Sequence, residues 1–220
     1  MATGSWREHR EALRQGASAE AVQEYMRWNY IPLELLVSLE SSGHLSIPHE
    51  ALLLRTGRGP SATAFPAVVS LTPGVARLIG YFLSEGCITR ERGLHRIRFS
   101  FNRDETEFIG DVRALLRDEL GVGSVTMESR ADHVTHIRVG SALFGWLLDR
   151  VLACGARSTE MRVPDALMTA SRTHRRELLK GLLRGDGDVY VKTGVQSYRK
   201  NGRSYTHRNA SAEVGYFSSS

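Results

Sequence analysis

The chain has 220 residues, 41% hydrophobic and 24% charged, enough for one large domain, or one with a smaller unit attached, around a core of ordinary size. Its net charge of +5 suits a polyanionic partner such as nucleic acid better than an acidic one. Two cysteines without CxxC spacing, Cys87 and Cys154, exclude a disulfide scaffold and a structural zinc site, and no apolar run nears the roughly twenty residues of a membrane span. The first residues lack the apolar core of a signal peptide, so the expectation is a cytoplasmic protein with no membrane partner.

Residues 1–56 read as helical. Ala12 and Leu13, then Ala21, Val22, Tyr25 and Met26, recur at helical spacing with Gly16 and Ser18 between them, and Leu33 to Leu39 predicts a short helix ending near Gly43. Residues 57–70, rich in glycine, proline and small side chains, read as a linker. From Thr72, an N-cap before Pro73, a helix carries Val75, Leu78, Ile79 and Phe82 on one stripe. Strands are expected at Cys87 to Arg92 and His95 to Asn102, turning around Arg92-Gly93. Asp104 opens a long amphipathic helix with Ile109, Val112, Leu116 and Leu120 inward, closed by Gly121. A second hairpin (Val122 to Met127, Val134 to Val139) and a helix from Ala142 to Leu152 complete an α+β unit with an antiparallel sheet. The opening then recurs: Ser171 precedes a helix from about Thr173, which leads into a strand pattern at Val189 and Val191.

Two segments align without a gap, Leu78-Ile-Gly-Tyr-Phe-Leu-Ser-Glu-Gly86 and Leu179-Lys-Gly-Leu-Leu-Arg-Gly-Asp-Gly187. Gly80 and Gly181 each cost a helix about 1 kcal/mol relative to alanine, a cost better explained by another backbone passing close by. Ser84 and Gly185 keep the same face small, so the two helices are expected to pack tightly, with Gly86 and Gly187 supplying left-handed turns at their ends. Glu85 and Asp186 then fall at helix C-termini, where the macrodipole opposes negative charge, and side-by-side packing would add their mutual repulsion. A divalent cation between them reverses the sign of both effects.

The paired segments resemble the signature helices of the LAGLIDADG (DOD-type) homing endonucleases, particularly those carried by inteins. The resemblance implies an αββαββα repeat with an antiparallel saddle sheet, a first repeat over 71–160 and the start of a second over 161–220. It implies double-stranded DNA as partner, Mg²⁺ or Mn²⁺ bound by Glu85 and Asp186, and phosphodiester hydrolysis. A catalytically inactive DNA-binding module, or an intein-derived remnant, is the alternative, and RNA in place of DNA stays open. The chain departs from the pattern in having Glu at 85, and Lys180 and Arg184 on the second helix.

Alternation in strand 95–102 puts Arg96, Arg98, Ser100 and Asn102 on a basic, hydrogen-bonding face suited to a major groove. Thr126, His136 and Arg138 in the second hairpin, and Tyr190 and Lys192 after the second motif, are expected to extend the DNA surface, with Lys192 as the candidate basic catalytic group. Counterparts of the later helices and second hairpin are missing after the second motif. The expectation is an incomplete second repeat, with Val189, Val191, Val214 and Tyr216 under-packed and a completing fragment or second copy as partner.

Overall fold

A computed structural model of the chain describes residues 5–57, 63–91, 94–123, 125–129 and 133–216. They fall into two compact units, residues up to 54 with 66–69, and 55–65 with everything from 70 onward. The smaller unit packs α1 (Ala19–Trp28) and α2 (Leu33–Ser41) around Leu13, Val22, Leu36, Leu39 and Leu45. Ser18 caps α1 as its sequence position predicts, its hydroxyl accepting from Ala21 N at 3.3 Å.

The larger unit begins with α3 (Pro73–Glu85), where Thr72 Oγ1 accepts from Val75 N at 3.0 Å and proline occupies the first turn. It runs directly into β1 (Gly86–Glu91) and β2 (Leu94–Asn102), then α4 (Thr106–Leu120), β3 (Val125–Ser129) and β4 (Val134–Val139). The turn expected at Arg92-Gly93 lies outside the described residues. The helix expected from Asp104 starts two residues later, because Asn102 and Glu105 fold the backbone into a turn first: Asn102 N donates to Glu105 Oε2, and Asp104 N to Asn102 Oδ1. Strand order is β1-β2-β4-β3, antiparallel throughout. α5 (Ala142–Trp146) continues as a π-helical turn, Leu147–Val151, where the sequence predicts one regular helix.

Alternation in the two central strands gives the sheet two unlike faces. Ile88, Ile97, Phe99, Phe101, Ile137 and Val139 are all buried on the helix side. Phe82 meets Phe99 edge-on at 6.2 Å, and Tyr81 meets Phe101 at 5.9 Å. Those rings join α3 to the sheet and fix where its C-terminus points. The second half contains a short helical turn, α6 (Asp165–Met168), then α7 (Arg172–Asp186), β5 (Gly187–Lys200) and β6 (Arg203–Tyr216). β5 and β6 form a separate two-stranded sheet. Val191 and Val214 are each 61% exposed on it; the side chains of Val189 and Tyr216 lie outside those described. Among the described residues no helix is long and apolar enough to cross a membrane.

Candidate active site

α3 and α7 cross with their backbones in contact at the two motif glycines. A Cβ on Gly80 would lie 2.3 Å from the Leu178 carbonyl oxygen and 3.0 Å from Gly181 Cα. One on Gly181 would lie 2.3 Å from the Arg77 carbonyl oxygen. Gly185 continues the contact one turn on, its missing Cβ replaced by the Ser84 hydroxyl, which folds back to donate to Gly80 O at 3.2 Å. The four small residues therefore sit at the crossing.

The glycines that close the motifs work differently from the expectation of left-handed caps. Gly86 has φ −93°, ψ 154° and Gly187 φ −82°, ψ 142°, both extended backbone. No turn is needed, since each helix passes straight into a strand. What excludes a side chain is space: a Cβ would sit 2.3 Å from Phe82 O at Gly86 and 2.2 Å from Leu183 O at Gly187.

The crossing brings the two helix-terminal acids into each other's field. Burial, then the charge of Asp186, then that of Glu105, push the Glu85 carboxyl up to about 7. Burial also holds Asp186 above the ordinary carboxylate range, although its side chain is more open to solvent. Glu105 is an acid that the motif comparison misses. Its signal is the hairpin register: Gly86 pairs with Phe99, so the chain after Asn102 returns past the end of α3.

Among the described residues, no group of three or more His, Cys, Asp and Glu side chains could hold a metal on protein ligands alone. Carboxylates of this kind suit magnesium, which keeps several waters and takes phosphate oxygens alongside one or two acids.

Arg184 has a partner set that explains its presence on a motif helix. Its Nη1 donates to Tyr81 Oη at 3.1 Å and Asp111 Oδ2 at 3.0 Å, its Nη2 to Glu107 Oε1 at 2.9 Å. The guanidinium lies 5.2 Å over the Phe108 ring. Arg77 adds ion pairs at 3.4 Å to Asp111 and Glu177. Five charged residues from α3, α4 and α7, together with the Tyr81 hydroxyl, thus form one network beside the crossing.

The strand residues expected to meet DNA share one face. Arg98 pairs with Arg138, Ser100 with His136 and Asn102 with Val134, and Thr126 pairs with Arg138, so Arg96, Arg98, Ser100, Asn102, Thr126, His136 and Arg138 all project away from the helices. Arg96, Asn102, Thr126 and Arg138 are exposed, Arg98 and Ser100 half-buried. Arg98 Nε is buried without a hydrogen-bond partner among the described residues. His136 is only 7% exposed, with its Nδ1 3.0 Å from Ser100 Oγ, and Arg138 pairs with Glu128 at 2.5 Å. Tyr190 is 53% exposed on β5. Lys192 pairs through its backbone with Ser211, six residues beyond Asp186, and its side chain is outside those described.

Residues 73–158 match the family described as the LAGLIDADG-like domain. That segment carries the α+β LAGLIDADG fold. The chain is 32% identical over 133 residues to an uncharacterised protein of Methanocaldococcus jannaschii, which accounts for 58% of the chain and 14% of that protein. It is 30% identical over 175 residues to the DNA polymerase II large subunit of Thermococcus kodakarensis, covering 80% of the chain and 9% of the subunit. It is 31% identical over 137 residues to an iron-sulfur cluster assembly SufBD family protein of Mycobacterium tuberculosis, covering 62% of the chain and 16% of that protein. The chain thus spans a small fraction of each. Mesophilic variants of the homing endonuclease I-DmoI superpose with a TM-score of 0.36 and 14% identity over 64% of this chain and 89% of theirs; the fold assignment rests on the family match and the architecture above.

Proposed function

We propose that this chain is the core of an intein-borne LAGLIDADG homing endonuclease of the DOD type, a hydrolase that cuts duplex DNA. The observation that carries the reading is the glycine-on-glycine crossing, which holds two acids at neighbouring helix ends despite a pKa penalty of the kind common at catalytic sites. Glu85 and Asp186 would hold Mg²⁺ or Mn²⁺, which when bound polarises the scissile phosphate and lowers the pKa of a coordinated water. Arg96, Arg98 and Arg138 would neutralise phosphates, and Ser100, Asn102, Thr126, His136 and Tyr190 would meet base edges or the backbone. Lys192 would stabilise charge developing on the phosphate. Support for intein carriage comes from the relatives: a similar stretch recurs as a small fraction of proteins with unrelated names.

A DNA-binding module without catalysis has no use for two acids kept at this cost. Selection of cleaved molecules from a randomised duplex library, with Mg²⁺ or Mn²⁺, decides between the readings. Expected is a recurring cut site, lost in Glu85→Gln and in Asp186→Asn while duplex affinity changes little. Duplex binding by the wild type with no cutting under either metal would favour the inactive module.

A further inference from the structure

The smaller unit gathers its cations in a way that its composition does not require. Residues 1–54 contain seven glutamates and four arginines, with no aspartate or lysine. Three of those arginines, Arg7, Arg10 and Arg27, nevertheless line one solvent-open hollow of about 460 Å³, together with Gln23 and Met26. Local structure sets its walls. Trp6–His9 and Arg10–Leu13 are consecutive helical turns that carry Arg7 and Arg10 three residues apart. Gln23, Met26 and Arg27 stand at i, i+3 and i+4 on one face of α1. Trp6 N donates to Asn29 Oδ1 at 3.0 Å, and Leu13 and Val22 are buried in one core, so the two walls are tied together.

These arginines have no counter-ions of their own. None of the three forms an ion pair among the described residues. Two acids of the same elements are engaged elsewhere, Glu11 with Arg14 at 2.8 Å and Glu24 with the Tyr30 hydroxyl at 3.0 Å. The Arg27 guanidinium is steadied over the Trp28 ring, 5.2 Å from its centroid. Three like charges around one hollow repel one another, and an anion seated among them reverses the sign of that interaction. Guanidinium forks match the oxygens of a phosphate group in pairs, which singles out phosphate among anions. The Gln23 amide adds a neutral donor, and half-buried Met26 an apolar side.

We propose that this hollow is a binding site for a phosphate group, held by Arg7, Arg10 and Arg27 and carried wholly by the smaller unit. Phosphate chemistry has two sources, a free phosphorylated metabolite and the backbone of a nucleic acid, and both offer the same oxygens to the guanidinium forks. The site uses neither Glu85 nor Asp186, so it stands whether or not the larger unit cuts DNA.

Two measurements on the full chain distinguish the sources. Calorimetric titration with pyrophosphate, at ionic strength held constant with sodium chloride, reads free phosphate. Affinity for a random-sequence duplex at several salt concentrations reads the backbone. Wild type is compared with Arg7→Gln/Arg10→Gln/Arg27→Gln and with Arg14→Gln, which alters the unit's remaining arginine. Saturable pyrophosphate binding that weakens at least about tenfold in the triple variant assigns the site to a free phosphate. A duplex salt slope that is shallower by about 2 to 3 in the triple variant assigns it to a nucleic acid backbone. Arg14→Gln should match the wild type in both. Melting curves check that the triple variant folds; should it not, Arg7→Gln and Arg10→Gln singly should each lose part of the same signal. A triple variant equal to the wild type in both measurements overturns the site. So does an equal loss in Arg14→Gln, since net charge alone would then account for binding. Pyrophosphate binding through the three arginines in a chain that binds no duplex overturns the duplex reading and leaves this site standing.

Discussion

At Glu85 the folded protein holds a proton more tightly than the unfolded chain does, because burial and the charges of Asp186 and Glu105 oppose ionisation. Its contribution to stability is therefore fully present below the ordinary carboxylate range and is lost as pH rises through about 7. Asp186 shifts in the same direction. Metal-free protein should thus melt at progressively lower temperature between about pH 5 and pH 8, and Glu85→Gln should flatten that decline. A cation removes the penalty only where the acids are ionised, so added Mg²⁺ should raise the melting temperature more at the alkaline end. A level profile in the metal-free wild type would show that the two acids do not burden the fold.

At the level of elements, the α3–α7 crossing makes a sign prediction. Alanine is better than glycine in a helix interior by about 1 kcal/mol, so Gly80→Ala and Gly181→Ala would stabilise a helix with open space beside it. Here the new methyl meets a carbonyl oxygen of the other helix, and the helices must part. Each substitution should cost about 1 to 3 kcal/mol, read as a lower midpoint in urea unfolding, while Gly110→Ala in α4, with open space around it, should not. Much of this was legible in the sequence, because a glycine in an apolar helix is expensive enough to demand a reason. The alternation that sorts Arg96, Arg98, Ser100 and Asn102 from Ile97, Phe99 and Phe101 was equally legible, since strand period leaves no freedom. Less legible were contacts set by the third dimension. Glu105 enters only through hairpin register, and the role of Arg184 only once α4 lies beside it. The left-handed ends expected at Gly86 and Gly187 failed because close approach and positive φ both select glycine, and sequence does not separate them. The Asn201-Gly202 turn is absent from the expectations above although the dipeptide is a strong short-range hairpin signal.

The whole larger unit combines a dense centre with a limb that has little tertiary support. Phe82, Phe99, Tyr81 and Ile137 are fully buried around the crossing, whereas Val195, Tyr198 and Tyr205 on the ribbon are 65%, 49% and 41% exposed. Backbone amides of β2 and β4 should therefore exchange with solvent only on global unfolding, and those of β5 and β6 through much cheaper local opening. Hydrogen exchange should show the ribbon amides slowing sharply when duplex is added; equal protection in β4 and β5 of the free chain would contradict this division. The direct passage from helix to strand at Gly86 and Gly187 has a mechanical corollary. With no loop to absorb motion, a rotation of α7 on α3 is transmitted whole to the ribbon. Over a limb of about 43 Å, a turn of only about 5° swings the tip by roughly 4 Å, close to the rise of one base pair. Tolerated substitutions at the crossing would then act as an angular adjustment, altering the spacing at which two contacts on DNA are measured out while leaving each contact's own chemistry untouched.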